Sequence, residues 1–160
     1  MRSDRYSRIL VGALALGLVA CMDDPTEPAT SFTATLTGAQ EVPAVTTTAS
    51  GSATCSGDGT GFSCTVTYAG LSGAPTSAHI HVGNAGTAAT GNIRINLCGA
   101  GTAPACPTTA SGTITSGAQL PTSGTYAALL TSMQGFGAYV NVHTATNAGG
   151  EIRGQIFGVY

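Results

Sequence analysis

All three histidines of the chain fall in two short segments, His79 and His81 in SAHIHVG and His143 in AYVNVHT. Neutral imidazole nitrogen suits copper(II) or zinc, and two ligands at i and i+2 with a third from elsewhere leave a fourth coordination position open. Glu41 and Glu151 are the carboxylates that would complete such a site or hold an imidazole tautomer from behind. The same residues have a second reading without metal, in which the imidazoles hydrogen-bond loop carbonyls and fix the turns that follow their strands. Both readings stand at this point.

Other chemistries find less support. Serine and threonine are abundant, but none sits in a G-x-S-x-G elbow, and strand and turn propensity accounts for their number. Glu41 with Glu151 is the one carboxylate pair to weigh for glycoside hydrolysis, and both flank glycine-rich turns where a carboxylate caps backbone N–H groups. Glycine runs such as GTGFSC lack a helix behind them and a lysine, so they read as turns and not as phosphate cradles. Arg153, two residues from Glu151, reads as half of a surface or loop-bracing ion pair. No catalytic residue is assigned, and the expected role is not enzymatic.

The elements that must position the histidines are strands. Phe32, Ala34 and Leu36 alternate with Thr, and Phe62, Cys64, Val66 and Tyr68 alternate with Ser and Thr, the two-residue period of half-buried strands. Further strands are expected at Ser50–Cys55, Ser77–Val82, Asn92–Leu97, Gly112–Thr115, Ala138–His143 and Glu151–Phe157, each bounded by Gly, Pro, Asn or Ser. Alternation sends Ala78, Ile80 and Val82 to the core and sets His79 and His81 together on the opposite face. By the same rule Val140 and Val142 point inward, and His143 lies with Asn141 and Tyr139 on the polar side. Whether the three imidazoles converge depends on register, which alternation alone does not fix. The one helical spacing is Tyr126, Leu129, Leu130 and Met133, closed by Gly135. About eight strands and one short helix describe an all-β Greek-key sandwich or barrel.

Three of the five basic residues, Arg2, Arg5 and Arg8, precede the uncharged run from Ile9 to Ala20, and LVAC ends at Cys21. Twelve apolar residues make about 18 Å of helix against a bilayer core of about 30 Å, so the run reads as an export signal, not a span. The LVAC segment resembles a lipobox, which implies cleavage before Cys21 and lipidation of its thiol; an ordinary signal-peptidase cut after Ala20 is the alternative. Residues 1–20 are thus a lipoprotein signal peptide, 21–31 a Pro- and acid-bearing tether, and 32–160 one domain. Met22, where an Asp often marks inner-membrane retention, leans toward the outer membrane of a double-membraned cell, with periplasm or cell surface as the general location.

The chain from residue 21 carries Arg94 and Arg153 against six acidic residues, a net charge of −4, and no lysine. Such a surface lacks the clustered cations that nucleic acid requires. With Cys21 taken by lipid, Cys55, Cys64, Cys98 and Cys106 remain, an even number that fits an oxidising compartment. Of three possible pairings, Cys55 with Cys64 and Cys98 with Cys106 are favoured because each pair brackets a short turn-rich stretch; neither has zinc-knuckle spacing.

FTATLTGAQEVPAV at Phe32–Val45, AHIHVGNAGTAATGNI at Ala78–Ile93 and YVNVHTATNAGGEIRGQI at Tyr139–Ile156 resemble, in order, the three signature segments of the CHRD (chordin-type) domain family. The resemblance implies an exported β-module of extracellular or microbial type, with no generally established catalytic activity and a protein or surface partner left open. More loosely, the architecture is similar to copper/zinc superoxide dismutase, in which an H-x-H strand supplies copper ligands. His79 and His81 match that pair, and His143 is the third candidate. There is no fourth histidine to bridge two metals and no His/Asp-rich loop for zinc, so the likeness does not extend to dismutase activity. Copper or zinc is the candidate cofactor.

Overall fold

The computed structural model describes residues 29–57, 59–87 and 91–160. The expected signal peptide, the lipidation site Cys21 and most of the tether lie outside the described residues. Nine strands form: β1 (Ser31–Thr37), β2 (Ser50–Gly57), β3 (Phe62–Ala69), β4 (Pro75–Val82), β5 (Asn92–Cys98), β6 (Gly112–Thr115), β7 (Ala138–Thr144), β8 (Ile152–Gln155) and β9 (Phe157–Val159). A 3-10 turn (Gly38–Gln40) follows β1, and one helix, α1 (Tyr126–Gln134), precedes β7. The fold is all-β, as its alternating sequence leads one to expect. The segment from Glu151 to Phe157 divides at Ile156 into β8 and β9 where one strand is expected, and β1 starts at Ser31, with Ala29 already buried.

Every pairing is antiparallel, in the order β5-β4-β7-β8-β1-β2-β3-β6, with β9 also beside β1. The edge strands β5 and β6 approach one another, so the sheet curls into a nearly closed barrel. Its interior holds Phe32, Leu36, Phe62, Val66, Ile80, Ile95, Leu97, Ile114, Val140, Val142 and Ile152. Each such side chain contributes about 1.5–3 kcal/mol on leaving water. On β1 to β3 the alternate residues are Ser and Thr facing out, the pattern of a one-sided core.

Strands β4 and β7 differ, because they are covered on both faces over most of their length. The side expected to be merely polar is closed over: Tyr139 is fully buried, and Asn141, His79 and His81 are buried with it. Loops account for this, since the Thr87 and Gln40 carbonyls are bonded to Arg153 on β8.

Two disulfides join Cys55 to Cys64 and Cys98 to Cys106. The first spans positions directly paired between β2 and β3, both side chains pointing inward. Helix α1 begins at Thr125, whose hydroxyl accepts from the Ala128 N–H, a cap worth about 1 kcal/mol. Its Leu129 and Met133 enter the core, and Tyr126 stacks on Phe62 at 4.6 Å between centroids. None of the described helices is long and apolar enough to cross a membrane.

Candidate metal centre

Register brings the histidines together. In the β4–β7 ladder Ser77 faces His143, His79 faces Asn141 and His81 faces Tyr139, so His143 stands diagonally beside His79. On the other side of β4 the ladder to β5 shifts register between Ala78 and His79 and again between Ile80 and His81. Such irregularities twist a strand locally and re-aim its side chains. Ring centroids lie 5.6 Å apart for His79 and His81, 5.0 Å for His79 and His143, and 6.4 Å for His81 and His143. One nitrogen from each ring falls within 4.8 Å of the others.

Backbone carbonyls set the tautomers. His81 Nδ1 lies 2.7 Å from the Gly91 carbonyl oxygen, and His143 Nδ1 lies 3.0 Å from that of Ala148. A carbonyl only accepts, so both rings carry their proton on Nδ1 and present Nε2 with a lone pair. His143 Nε2 in turn sits 3.2 Å from His79 Nδ1, which must donate. His81 Nε2 is different: it is buried and has no hydrogen-bond partner. A buried acceptor left unpaired costs about 1–3 kcal/mol, and such a group calls for an explanation.

Electrostatics keep these rings uncharged. Burial lowers the His79 pKa to about 4, helped by repulsion from His143 and His81. Burial also lowers His81 and His143, against the opposing pull of their carbonyl hydrogen bonds. The cluster therefore enters neutral solution with lone pairs available, with no proton to displace before a cation binds.

The carboxylates have other partners. Glu151, fully buried, accepts from Thr47 Oγ1 (2.9 Å), the Ser72 N–H (2.8 Å), Ser72 Oγ (2.5 Å) and Thr144 Oγ1 (2.7 Å). Burial raises its pKa, but the bonds from Ser72, Thr144 and Thr47 outweigh this and bring it down to about 2. Glu41 faces Arg153, Oε2 to Nε 3.7 Å, with both side chains almost wholly buried. Burial pushes the Glu41 pKa up to about 7, Arg153 holding it back. The ion pair of Arg153 is thus with Glu41 and inside the protein, where the sequence points to a surface or loop-bracing pair with Glu151. The physical reason is position: Glu151 precedes β8 and its oxygens are taken by hydroxyl donors, whereas Arg153 lies within β8, where its Nε also donates to the Gln40 carbonyl at 2.5 Å.

The arrangement also contains parts with no sequence signal. The Gly91 and Ala148 carbonyls come from loops, and Ser72 reaches Glu151 from 79 residues away. Tyr139 carries the flat face of His81, centroids 4.9 Å apart and planes 3° from parallel, and the Arg153 guanidinium lies 5.1 Å from the same ring's centre. Between Glu41–Val45 and Thr146–Gly150 is a cleft of about 270 Å³, whose Ala148 also anchors His143.

Comparison with known proteins adds one match. A family model described as CHRD domain covers residues 32–156 of the chain. No curated protein and no solved structure matches it.

Proposed function

The chain belongs to the CHRD domain family, and from that premise we propose that it is a lipid-tethered extracytoplasmic interaction module carrying a transition-metal site made of His79, His81 and His143. CHRD domains are extracellular, and the two disulfides fit an oxidising compartment. The tether at Cys21 is supported by the lipobox-like LVAC and the basic, then apolar, segment before it. Mass spectrometry of the N-terminal peptide tests it: an acylated Cys21 agrees, whereas an unmodified Cys21 or a chain that keeps residues 1–20 refutes it.

The observation that carries the metal reading is the buried, unpartnered His81 Nε2 beside two other imidazoles. Three neutral nitrogens with fixed tautomers suit copper(II) or zinc and leave room for a further ligand. A bound cation would supply Lewis acidity or, as copper, one-electron chemistry. The chain's part is to hold the rings, keep them unprotonated and limit water. The test is copper and zinc titration of residues 29–160, disulfides intact, against the triple His→Ala variant. One ion per chain, lost in the variant, is expected; binding no greater than the variant's rules the site out.

A second reading is favoured by the bonds of His81 to Gly91 and His143 to Ala148, which brace two loops. In it the histidines are structural, and the module recognises a protein or surface partner without metal. It requires that partner capture be unchanged by chelation.

A further inference from the structure

All six exposed large apolar side chains among the described residues, Ile93, Leu120, Phe136, Phe157, Val159 and Tyr160, lie at one end of the barrel. The antiparallel ladders define that end. It gathers the start of β1, the end of β2, the start of β3, the start of β5, the end of β6, the start of β7 and β9. The opposite end holds the close of β7, the start of β8 and the cleft at Glu41–Val45 and Thr146–Gly150. Phe136 and Phe157 meet at 5.4 Å between centroids, and Tyr160 is 59 % exposed. Phe136 is also the one described non-glycine residue at positive φ (56°), held there directly after the Gly135 cap of α1.

The chain enters the fold at this same end. The Ala29 carbonyl accepts from Gln134 Nε2, two residues before Phe136, and a Cβ on Gly158 would meet the Ala29 side chain at 2.8 Å. Only seven residues, 22–28, separate Ala29 from Cys21, eight steps along the backbone. Fully extended they reach roughly 26–29 Å, less than the thickness of a bilayer core. A lipid on Cys21 therefore keeps the apolar end close to the membrane surface.

From the coincidence of the exposed Phe136, Phe157, Val159 and Tyr160 with the point where the Cys21 tether joins the barrel, we infer that this end docks on the lipid bilayer interface. The occupant rests on the lipid tether proposed above. Aromatic side chains favour the headgroup level, and a second attachment point is what turns a lipid anchor into a fixed orientation. The barrel then stands with Glu41, Thr146 and the cleft between them facing away from the membrane.

The test places a tryptophan, which the chain lacks, at Phe136→Trp, at Tyr160→Trp and, as the far-end control, at Thr146→Trp. Residues 29–160 close their own core, so the chain from 21 to 160 is used, coupled at the Cys21 thiol to a maleimide phospholipid. It is held in vesicles of phosphatidylethanolamine and phosphatidylglycerol doped with lipid brominated near the headgroup. This coupling is independent of natural acylation, so the docking result and the anchor reading fail separately. The expected result is a blue shift and loss of emission at positions 136 and 160 with none at 146. Equal quenching at all three positions, or none at 136 and 160, overturns the inference. So does a blue shift that needs no lipid and grows with protein concentration, which would assign the end to a second copy of the chain. Because Tyr160 lies beyond β9 and is exposed, its variant reads out even if Phe136→Trp does not fold.

Discussion

His79 and His143, 64 residues apart in the chain, share a hydrogen bond of 3.2 Å between Nδ1 and Nε2. The Ala148 carbonyl fixes which of them donates, because His143 must spend its own proton on that oxygen. All three histidines of the metal-free protein are therefore expected as Nδ1–H tautomers. Long-range proton–nitrogen NMR spectra check this directly, and a ring protonated on Nε2 at His81 or His143 contradicts the arrangement. Adding zinc should abolish the bond between the rings, since His143 Nε2 then gives its lone pair to the cation.

The pH dependence follows from opposing shifts. The folded-state pKa of His79 is about 4 against 6.5 unfolded, so the unfolded chain binds more protons in between. Metal-free stability should be undiminished by this group above pH 6.5 and fall as pH drops toward 4, by about 1–3 kcal/mol. His81 and His143 act in the same direction. Glu41, raised from 4.5 to about 7, acts the other way: its contribution is full below pH 4.5 and lost as pH rises through 7. Glu41→Gln should therefore steepen the acid-side loss. Urea midpoints measured from pH 4 to 8 in both proteins decide it; a slope unchanged by the substitution disproves the assignment.

Glu151→Gln should destabilise the fold by about 2–4 kcal/mol. The variant keeps the shape but replaces one acceptor oxygen by an NH2, facing donors from Ser72, Thr47 and Thr144. Denaturant unfolding at pH 7 measures it. The wild-type advantage should shrink as pH falls toward 2, where the depressed carboxyl finally protonates. A loss below about 0.5 kcal/mol, the range of ordinary surface changes, would show that the hub is not a structural one.

Gly91→Ala tests the support behind His81 as a proposed metal ligand. A Cβ there would run into the Val82 carbonyl oxygen, so the Gly91 carbonyl must move away from His81 Nδ1. Metal affinity is expected to fall about 10–100-fold, the usual effect of disturbing the group behind a ligand. Stoichiometry should stay at one ion per chain, which separates lost orientation from a lost ligand.

Much of this molecule is legible in its sequence because most strands bury one face. The alternation of Phe32, Ala34 and Leu36, and of Phe62, Cys64, Val66 and Tyr68, marks β1 and β3 within a residue or two, and the Tyr126 to Met133 spacing marks α1. The histidines stand out by type and by their i, i+2 spacing, which correctly places His79 and His81 on one face of β4. Their convergence with His143 was not legible, since it depends on the β4–β7 register and two shifts against β5. The partners of Glu151 and Arg153 were hidden for another reason: Ser72, Thr47, Gln40 and Thr87 reach them from loops, where no periodicity reports direction. Arg153 also shows that two charges close in sequence need not pair, when one precedes a strand and the other lies within it.

The place of β1 between β2 on one side and β8 and β9 on the other has a kinetic side. Its hairpin with β2 can form early, but Ser31 pairs with Val159 of β9, 128 residues further along the chain. Loop-closure entropy over so long a span makes such a contact late and slow. The barrel cannot shut until β9 has left the ribosome. Up to that moment one edge of β1 stays unpaired and the chain remains open enough to be threaded.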